Sequence, residues 1–302
     1  MPVGLITKGI DGFYYVKVDD RTYECKARGI FRKNEITPLP GDRVSIDVVD
    51  EDKLSGNIVE IMDRSSCLVR PSIANVDHAA IVIAARSPAP DFLLLDKLVI
   101  TSELSGIKPF ICVNKIDMDT EGKYKEILSE YGGAGYPVFS LCAKSGVGIL
   151  DIGEFLKDKI TVLAGQSGVG KSTLLNCLLN KEVMETGEIS RKVERGRHTT
   201  RHAELLELED GGYIADTPGF SSLELTGIKS FELELYYPEF VNIPGKCRFT
   251  GCSHITEPDC KVREALQSGL VGKGRYERYV KFYDILKQQK MYESKKGSKS
   301  KN

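Results

Sequence analysis

The sequence predicts an α/β protein in which a small β-barrel comes first, a parallel sheet with helices follows, and a largely helical region ends the chain. Three observations support this fold class. Residues 1–67 contain short stretches of alternating polar and apolar residues, whereas residues 68–225 contain fully apolar runs separated by helical patterns. Residues 226–302 contain three closely spaced cysteines and then a helical pattern. The 302 residues are enough for three such domains, with these boundaries.

The N-terminal region is predicted to be a barrel because its strand-like stretches are short and evenly spaced. These stretches are 13–18, 21–27, 43–49 and 56–61. Turn residues such as Asp, Gly and Pro separate them, and four or five such strands are typical of a small closed barrel. An oligonucleotide-binding (OB) type of barrel fits this pattern. That class often binds RNA, although a fold alone does not establish a function.

The second region is predicted to be a parallel sheet covered by helices. The runs 79–85, 109–113 and 160–164 are apolar throughout, as expected of strands that are buried on both faces. Helical patterns lie between them at 92–104 and 124–131. Buried strands that alternate with helices indicate an open parallel sheet, which binds ligands at the carboxyl ends of its strands.

The composition excludes several other classes of protein. Apolar residues make up 41% of the chain and charged residues 28%, which is ordinary for a globular protein. No run of about 18 apolar residues appears, so we expect no membrane span. The N-terminus lacks the apolar core of a signal peptide, so we expect a cytoplasmic location.

The net charge is −1, but basic residues concentrate towards the end of the chain. From residue 245 onwards, 14 Lys and Arg stand against 6 Asp and Glu. The Lys-rich tail is either a solvated end or a basic arm that contacts phosphates. A helical pattern at 262–286 carries Lys273, Arg275, Arg278 and Lys281. These residues and the barrel together are expected to bind structured RNA.

A glycine-rich loop follows the apolar run 160–164 and opens a helical pattern. Its residues are Gly165, Gln166, Ser167, Gly168, Val169, Gly170, Lys171, Ser172 and Thr173. They fit the phosphate-loop pattern G-x-x-x-x-G-K-[ST] in its required strand–loop–helix context. Glycines let backbone N–H groups converge on phosphate oxygens, and the helix N-terminus adds partial positive charge. We expect Lys171 to contact the β- and γ-phosphates as a catalytic group, and Ser172 to bind Mg²⁺.

A second motif predicts that the base is guanine. Asn114, Lys115, Ile116 and Asp117 follow the apolar run 109–113. The Asp117 carboxylate can accept hydrogen bonds from N1–H and the exocyclic amine of guanine. Adenine would leave that carboxylate unpaired, so a site of this kind rejects it strongly.

A third stretch resembles the S-A-K loop that contacts guanine in GTPases. It consists of Cys142, Ala143 and Lys144, after a strand-like stretch at 136–140. Cys stands in place of the usual Ser. Because a backbone N–H can make the base contact, this replacement is a mild departure.

Two further stretches complete the set expected of a nucleotide switch. Asp216 begins an Asp-Thr-Pro-Gly run that ends at Gly219. The run resembles the D-x-x-G motif, in which Asp orients Mg²⁺ through water and the Gly N–H senses the γ-phosphate. His198, Thr199 and Thr200 precede it, where a first switch belongs. One of the two threonines is expected to bind Mg²⁺, and the sequence does not say which.

The order of these motifs is a circular permutation of the usual GTPase order: N-K-I-D, C-A-K, phosphate loop, H-T-T and D-T-P-G. Over nearly its full length the chain therefore resembles the ribosome small-subunit-dependent GTPase A family. The resemblance implies a monomeric, circularly permuted P-loop GTPase that binds GTP and GDP. It also implies partners, namely the small ribosomal subunit and its rRNA late in maturation, with hydrolysis stimulated by the subunit.

Many GTPases place Gln directly after D-x-x-G to orient the attacking water, but Phe220 occupies that position here. His198 is the candidate catalytic group that positions or deprotonates water instead. The resemblance implies that it acts once the partner orders its loop. An exposed loop histidine without a catalytic role is the open alternative.

Four residues near the start of the third region have the spacing of a zinc site. They are Cys247, Cys252, His254 and Cys260, in the pattern C-x₄-C-x-H-x₅-C. Three thiolates and one imidazole fit a closed tetrahedral Zn²⁺ site, which leaves no open position for catalysis. The predicted ion is therefore structural, and the spacing also resembles the zinc motif of the family.

Two other functions stay open at this point. In the first alternative, the chain is a non-ribosomal RNA-binding module that uses GTP only as an affinity switch. In the second, it is a P-loop ATPase or a small-molecule kinase. Nucleotide-dependent RNA binding with negligible turnover would favour the first alternative. Equal affinity for ATP and GTP would favour the second.

Overall fold

The described structure comprises most of the three predicted regions. It is a computed structural model that describes residues 1–29, 31, 36–69, 71–180, 203–216, 225 and 227–299, with side chains for all of these except 216 and 290–299.

The N-terminal region is a closed barrel, as predicted. Its strands are β1 (Val3–Ile10), β2 (Phe13–Val18), β3 (Arg21–Ala27), β4 (Arg43–Asp50) and β5 (Ser55–Ile61). They close in the order β1-β2-β3-β5-β4. Alternating side chains fill the interior, which contains Ile6, Val16, Cys25, Val44, Ile46 and Ile58. Alternation in the sequence predicted this barrel because a strand places every second residue on one face.

A short hairpin joins the barrel to the sheet. It consists of β6 (Cys67–Val69) and β7 (Ser72–Ala74). Gly41 approaches it so closely that a Cβ atom there would lie 2.0 Å from the carbonyl oxygen of Ala74, at a φ of +91° that favours glycine. The barrel therefore lies directly against the hairpin.

The second region is built on a six-stranded sheet. Its strands are β8 (His78–Ala84), β9 (Lys108–Asn114), β10 (Val138–Ser140), β11 (Ile160–Ala164), β12 (Leu206–Glu207) and β13 (Tyr213–Asp216). The order is β10-β9-β8-β11-β13-β12, and all neighbours are parallel except the edge strand β12. Every residue of the central strands β8 and β11 is buried, which accounts for their apolar sequences.

Helices cover both faces of this sheet. They are α1 (Phe92–Leu104), α2 (Tyr124–Gly133), α3 (Ile149–Leu156) and α4 (Lys171–Leu179). One core contains Ile81 and Leu98, and the core on the opposite face contains Val82 and Leu174. The predicted α/β class with a permuted motif order is confirmed.

The C-terminal region is largely helical, as predicted, with one difference. It contains a 3₁₀ helix at Ser230–Tyr236 and the helices α5 (Pro238–Val241), α6 (Lys261–Gln267) and α7 (Lys273–Lys299). The single helical pattern at 262–286 is divided because the chain turns at Gly269, which has a φ of +79°. No helix in the described part of the chain is both long and apolar enough to cross a membrane.

A buried ion network fastens α7 to the sheet region. Arg275 is only 1% exposed, and its guanidinium lies 2.6 Å from Asp96 of α1 and 2.7 Å from Glu239 of α5. Burial alone would lower the pKa of Arg275, but these carboxylates raise it well above its ordinary value. Arg278 also contacts Asp96, and its guanidinium lies 3.1 Å from Glu130 of α2.

This network corrects one expectation about the basic residues of the C-terminal helix. Arg275 and Arg278 are committed to internal carboxylates, so they are not available to contact RNA phosphates. Lys273 and Lys281 are exposed on the same helix. The sequence could not distinguish the two pairs, because their acidic partners lie far away along the chain.

Candidate nucleotide site and metal cluster

The carboxyl ends of β9, β11 and β13 meet at one edge of the sheet. β11 leads directly into the glycine-rich loop, and β9 ends at Asn114. In the parallel register, Asp216 at the end of β13 lies beside Leu163 of β11. The sheet thus places the backbone of Asp216 next to the strand that carries the loop.

The glycine-rich loop contains two positions that exclude a side chain. At Gly165, a Cβ atom would lie 2.1 Å from the carbonyl oxygen of Val82, at a φ of +130°. At Gly170, a Cβ atom would lie 2.4 Å from Nδ2 of Asn114, at a φ of +97°. Any other residue at either position would displace the loop.

Lys171 folds over the loop from the first position of α4. Its ammonium group donates to the carbonyl oxygens of Gly165 at 2.8 Å and of Gln166 at 2.9 Å. Ser172 and Thr173 follow in the first turn of the same helix and are half-buried. Ser167 and Gly168 are exposed at the outer part of the loop.

The N-K-I-D motif contacts the glycine-rich loop directly. Asn114 donates from Nδ2 to the carbonyl oxygen of Val169 at 2.8 Å. Lys115 donates from Nζ to the carbonyl oxygen of Gly168 at 2.6 Å and to that of Ser87 at 2.8 Å. Lys115 also has a left-handed backbone with a φ of +61°, which is uncommon for a residue with a side chain.

The C-A-K stretch joins the same assembly. The backbone N–H of Ala143 donates to Oδ1 of Asn114 at 3.0 Å, and the Cys142 thiol donates to Oδ1 of Asp117 at 3.1 Å. The Cys177 thiol of α4 in turn donates to the carbonyl oxygen of Ala143 at 3.0 Å. Asp117 lies in a 3₁₀ turn at Ile116–Met118, and Lys144 is exposed. Three motifs that are separated in sequence are therefore brought together by the structure.

Several predicted site residues lie outside the described residues. They are His198, Thr199, Thr200 and Gly219, together with Phe220. Of Asp216 only the backbone is described. The roles expected of these residues stay predictions.

The segment that follows the H-T-T stretch is attached to the barrel. The backbone N–H of Leu205 donates to the carbonyl oxygen of Thr7 in β1 at 2.8 Å. Lys8 lies 3.0 Å from Glu204, and Lys17 also contacts Glu207. No pattern in the sequence indicates this junction, because main-chain pairing between distant segments requires no particular residues.

The predicted metal ligands form a compact cluster in the C-terminal region. Cys247, Cys252, His254 and Cys260 place their ligand atoms within 4.8 Å of one another. Sγ of Cys247 lies 3.7 Å from Nδ1 of His254 and 3.9 Å from Sγ of Cys260. A tetrahedral Zn²⁺ with bonds of about 2.3 Å to sulfur requires edges of roughly 3.8 Å. The four side chains therefore fit such an ion.

Burial changes the acidity of this cluster. It raises the pKa of the Cys252 thiol to about 12, and it also raises the pKa of Cys260. Thiolates are the forms that bind zinc, so binding of the ion would displace protons from these residues. Such a donor set is typical of a structural site rather than a catalytic one.

His254 has one partner that the sequence did not predict. Its Nε2 lies 2.5 Å from Oε2 of Glu234, in the 3₁₀ helix Ser230–Tyr236. Glu234 precedes the first cysteine of the cluster by thirteen positions and belongs to no metal-binding pattern. No signal in the sequence could have identified it.

Comparison with known proteins agrees with this geometry. Residues 61–226 match the family model described as RsgA GTPase, and residues 3–57 match the RsgA N-terminal domain. Two relatives carry the name small ribosomal subunit biogenesis GTPase RsgA. The one from Ruminiclostridium cellulolyticum is 55% identical, covering 98% of this chain and 97% of its own. The one from Agathobacter rectalis is 46% identical, covering 96% and 99%.

Solved structures show the same architecture. YloQ, described as a circularly permuted GTPase, superposes with a TM-score of 0.81 at 38% identity, covering 96% of both chains. YjeQ from Thermotoga maritima gives a TM-score of 0.80 at 34% identity, covering 94% of this chain and 98% of its own. The family match, the permuted sheet and the meeting of the guanine and phosphate motifs agree with one another. This chain belongs to the RsgA GTPase family and is a circularly permuted GTPase.

Proposed function

We propose that this GTPase binds the small ribosomal subunit, acts late in its maturation, and hydrolyses GTP faster on the subunit than alone. The observation that carries the nucleotide part is the pair of contacts from Asn114 to Val169 and from Lys115 to Gly168, at 2.8 and 2.6 Å. They join the loop that selects the base to the loop that binds phosphates. The ribosomal part is supported by the relatives, which are named as small-subunit biogenesis GTPases.

Each motif has a proposed role in binding GTP and GDP. Asp117 pairs with guanine, supported by Asn114, Ile116 and the loop Cys142, Ala143 and Lys144. The backbone of residues 165–173 surrounds the phosphates, and Lys171 neutralises charge that develops on them. Ser172 and either Thr199 or Thr200 hold Mg²⁺, with Asp216 acting through water. Gly219 senses the γ-phosphate, and His198 positions the attacking water.

The other two regions have proposed roles in binding the subunit. The barrel and the exposed lysines of α7 contact rRNA, while a Zn²⁺ ion held by Cys247, Cys252, His254 and Cys260 stabilises the C-terminal fold. We propose that the protein acts as a cytoplasmic monomer. The domain boundaries proposed with this scheme lie after residues 67 and 225.

The decisive experiment measures GTP turnover with and without purified small subunits. We expect stimulation of at least about 10-fold by small subunits and none by large subunits or free RNA, since ordering of a catalytic loop commonly limits such enzymes. The variant His198→Ala should lose most of the stimulation while its affinity for GTP stays unchanged. Nucleotide-dependent RNA binding without stimulated turnover would instead support the RNA-binding alternative.

A second experiment tests the base-selecting carboxylate. In Asp117→Asn, the side-chain amide can donate to the 2-oxo group of xanthine but no longer matches guanine, so preference should pass from GTP to xanthosine triphosphate. We expect a loss of about 10²-fold or more in affinity for GTP, because a polar pair is mismatched. Competition against a fluorescent nucleotide measures this change. Unchanged preference for guanine would remove Asp117 from the site.

A further inference from the structure

His254 of the metal cluster makes contacts on both sides of its ring. On one side, Nδ1 lies 3.7 Å from Sγ of Cys247 and 3.3 Å from Sγ of Cys260. On the other side, Nε2 lies 2.5 Å from Oε2 of Glu234. The two ring nitrogens therefore face different partners, and only Nδ1 faces the thiols.

The surroundings hold the ring in this orientation. The His254 side chain is only 5% exposed, and its ring packs edge-on against Phe240 at a centroid distance of 5.9 Å. The carbonyl oxygen of His254 accepts a hydrogen bond from the Tyr276 hydroxyl at 2.7 Å. A half-turn of the ring about the Cβ–Cγ bond would place Cδ2 towards the thiols and Cε1 towards Glu234, so both polar contacts would be lost.

Glu234 is also held in position by its own element. The backbone N–H of Lys229 donates to the carboxylate of Glu232 at 2.8 Å, which caps the 3₁₀ helix. Leu233 is fully buried in the core of the C-terminal region. The Glu234 side chain is about one-third exposed. It extends from this fixed backbone to Nε2 of His254, on the side of the ring opposite the cysteines.

We propose that Glu234 is the positioning residue of the zinc site, acting through His254 rather than binding the ion. Its carboxylate accepts the proton of Nε2, which fixes the tautomer whose Nδ1 lone pair points at the thiolates. A carboxylate on the far nitrogen also makes the imidazole a stronger donor to a metal. The proposal rests on the proposed function, in which the cluster binds zinc. It adds to the four ligands a carboxylate that hydrogen-bonds one of them without touching the ion.

This contact also links the cluster to the chain that follows β13. The 3₁₀ helix Ser230–Tyr236 is the first described element after the D-T-P-G run. Through Glu234, that helix is joined to the metal cluster by a side-chain hydrogen bond as well as by packing. Loading of the cluster therefore stabilises the first described helix after the D-T-P-G run.

The test compares zinc affinity in the full-length chain. Glu234→Ala removes the acceptor, Glu234→Gln keeps an uncharged acceptor, and Glu277→Gln is the matched control on the surface of α7. Competition with a chromophoric chelator should show zinc binding weakened by about 10- to 100-fold in Glu234→Ala. Glu234→Gln should lie between that variant and the wild type, and Glu277→Gln should match the wild type.

A second measurement separates positioning from a general loss of stability. Long-range ¹H–¹⁵N spectra of the zinc-loaded wild type should show His254 bound through Nδ1 and protonated at Nε2, which can be resolved because the chain has only four histidines. Coordination through Nε2 would overturn the proposal. So would equal zinc affinity in Glu234→Gln, Glu234→Ala and the control. If Glu234→Ala fails to fold, the wild-type spectra and Glu234→Gln decide the matter.

Discussion

The candidate nucleotide site and the C-terminal region are assembled in different ways. At the nucleotide site, the carboxyl ends of parallel strands bring short local motifs together, and several of the contacts between motifs end on backbone carbonyls. In the C-terminal region, side chains from distant positions make the decisive contacts, such as Arg275 with Asp96. The first arrangement depends on the sheet, and the second depends on individual side chains. Substitutions should therefore affect function in one region and stability in the other.

Loss of the metal cluster is expected to have the largest effect on stability. In Cys260→Ser a hydroxyl replaces a thiolate ligand, so zinc content should fall from about one ion per chain to nearly none. Two of the cluster's cysteines belong to the core of the C-terminal region. We expect the free energy of unfolding to fall by about 5 kcal/mol or more. This is less than the roughly 10–16 kcal/mol that zinc binding contributes to the folding of isolated zinc-finger peptides.

Elemental analysis and thermal melting measure these changes. Cys67→Ser is the control, because that thiol is exposed and lies outside the cluster. Full zinc content in Cys260→Ser would show that the cluster does not bind zinc through these four residues.

The buried ion network is expected to give the next largest effect. Arg275→Met leaves the buried Glu239 without its guanidinium partner and leaves Asp96 with Arg278 as its only cation in the network, which should reduce the free energy of unfolding by about 3–5 kcal/mol. Lys273→Met on the same helix has a side chain that is 85% exposed and should change stability by less than about 0.5 kcal/mol. Urea unfolding monitored by circular dichroism compares the two variants.

A double variant sharpens this test. If the charges act on each other, Asp96→Asn together with Arg275→Met should cost less than the sum of the two single changes. Strict additivity would mean that packing, rather than the ion pair, explains the loss.

At the nucleotide site, a small substitution should reduce turnover more than stability. Gly165→Ala would bring Cβ to 2.1 Å from the carbonyl oxygen of Val82, so the loop must move. A displacement of about 1 Å is enough to reduce turnover by about 10²-fold. GTP hydrolysis and nucleotide affinity, measured beside thermal melting, test this expectation.

The matched control is Gly153→Ala in α3, where a Cβ atom meets nothing within 4 Å. It should leave turnover unchanged and stabilise the helix by about 0.5–1 kcal/mol. If both alanine variants hydrolysed GTP at the wild-type rate, the loop would not be the phosphate site.

The smallest effect is expected at the junction of the barrel with residues 203–207. Lys8→Ala removes a partly exposed ion pair with Glu204, so it should cost only about 0.2–1 kcal/mol. The loss should shrink further in high salt because exposed charges are screened. Melting at two salt concentrations measures it, and a large salt-independent loss would contradict this account.

Much of the fold could be predicted because its signals are local. The apolar run that became β11 and the helical pattern that became α1 have the predicted bounds, 160–164 and 92–104. Burial on both faces imposes a continuous apolar sequence, and Asp91 marks the start of α1 as a cap. The motifs of the candidate site could be located in the same way, because each is a short local pattern that follows a predicted strand.

The remaining contacts could not be predicted because their partners are distant in sequence. Arg275 and Asp96 are 179 positions apart, and nothing near either residue identifies the other. A basic helix face appears equally suited to RNA or to buried carboxylates. Glu234 likewise has no pattern around it, and only the folded chain shows that it faces His254.

The main-chain hydrogen bond between Leu205 and Thr7 affects how freely the sequence can diverge at this junction. Peptide groups are present whatever the side chain, so most replacements at these two positions leave the donor and the acceptor in place. Proline at position 205 is the exception, because it lacks the N–H. The barrel can therefore stay docked on this segment while the residues that face each other there diverge.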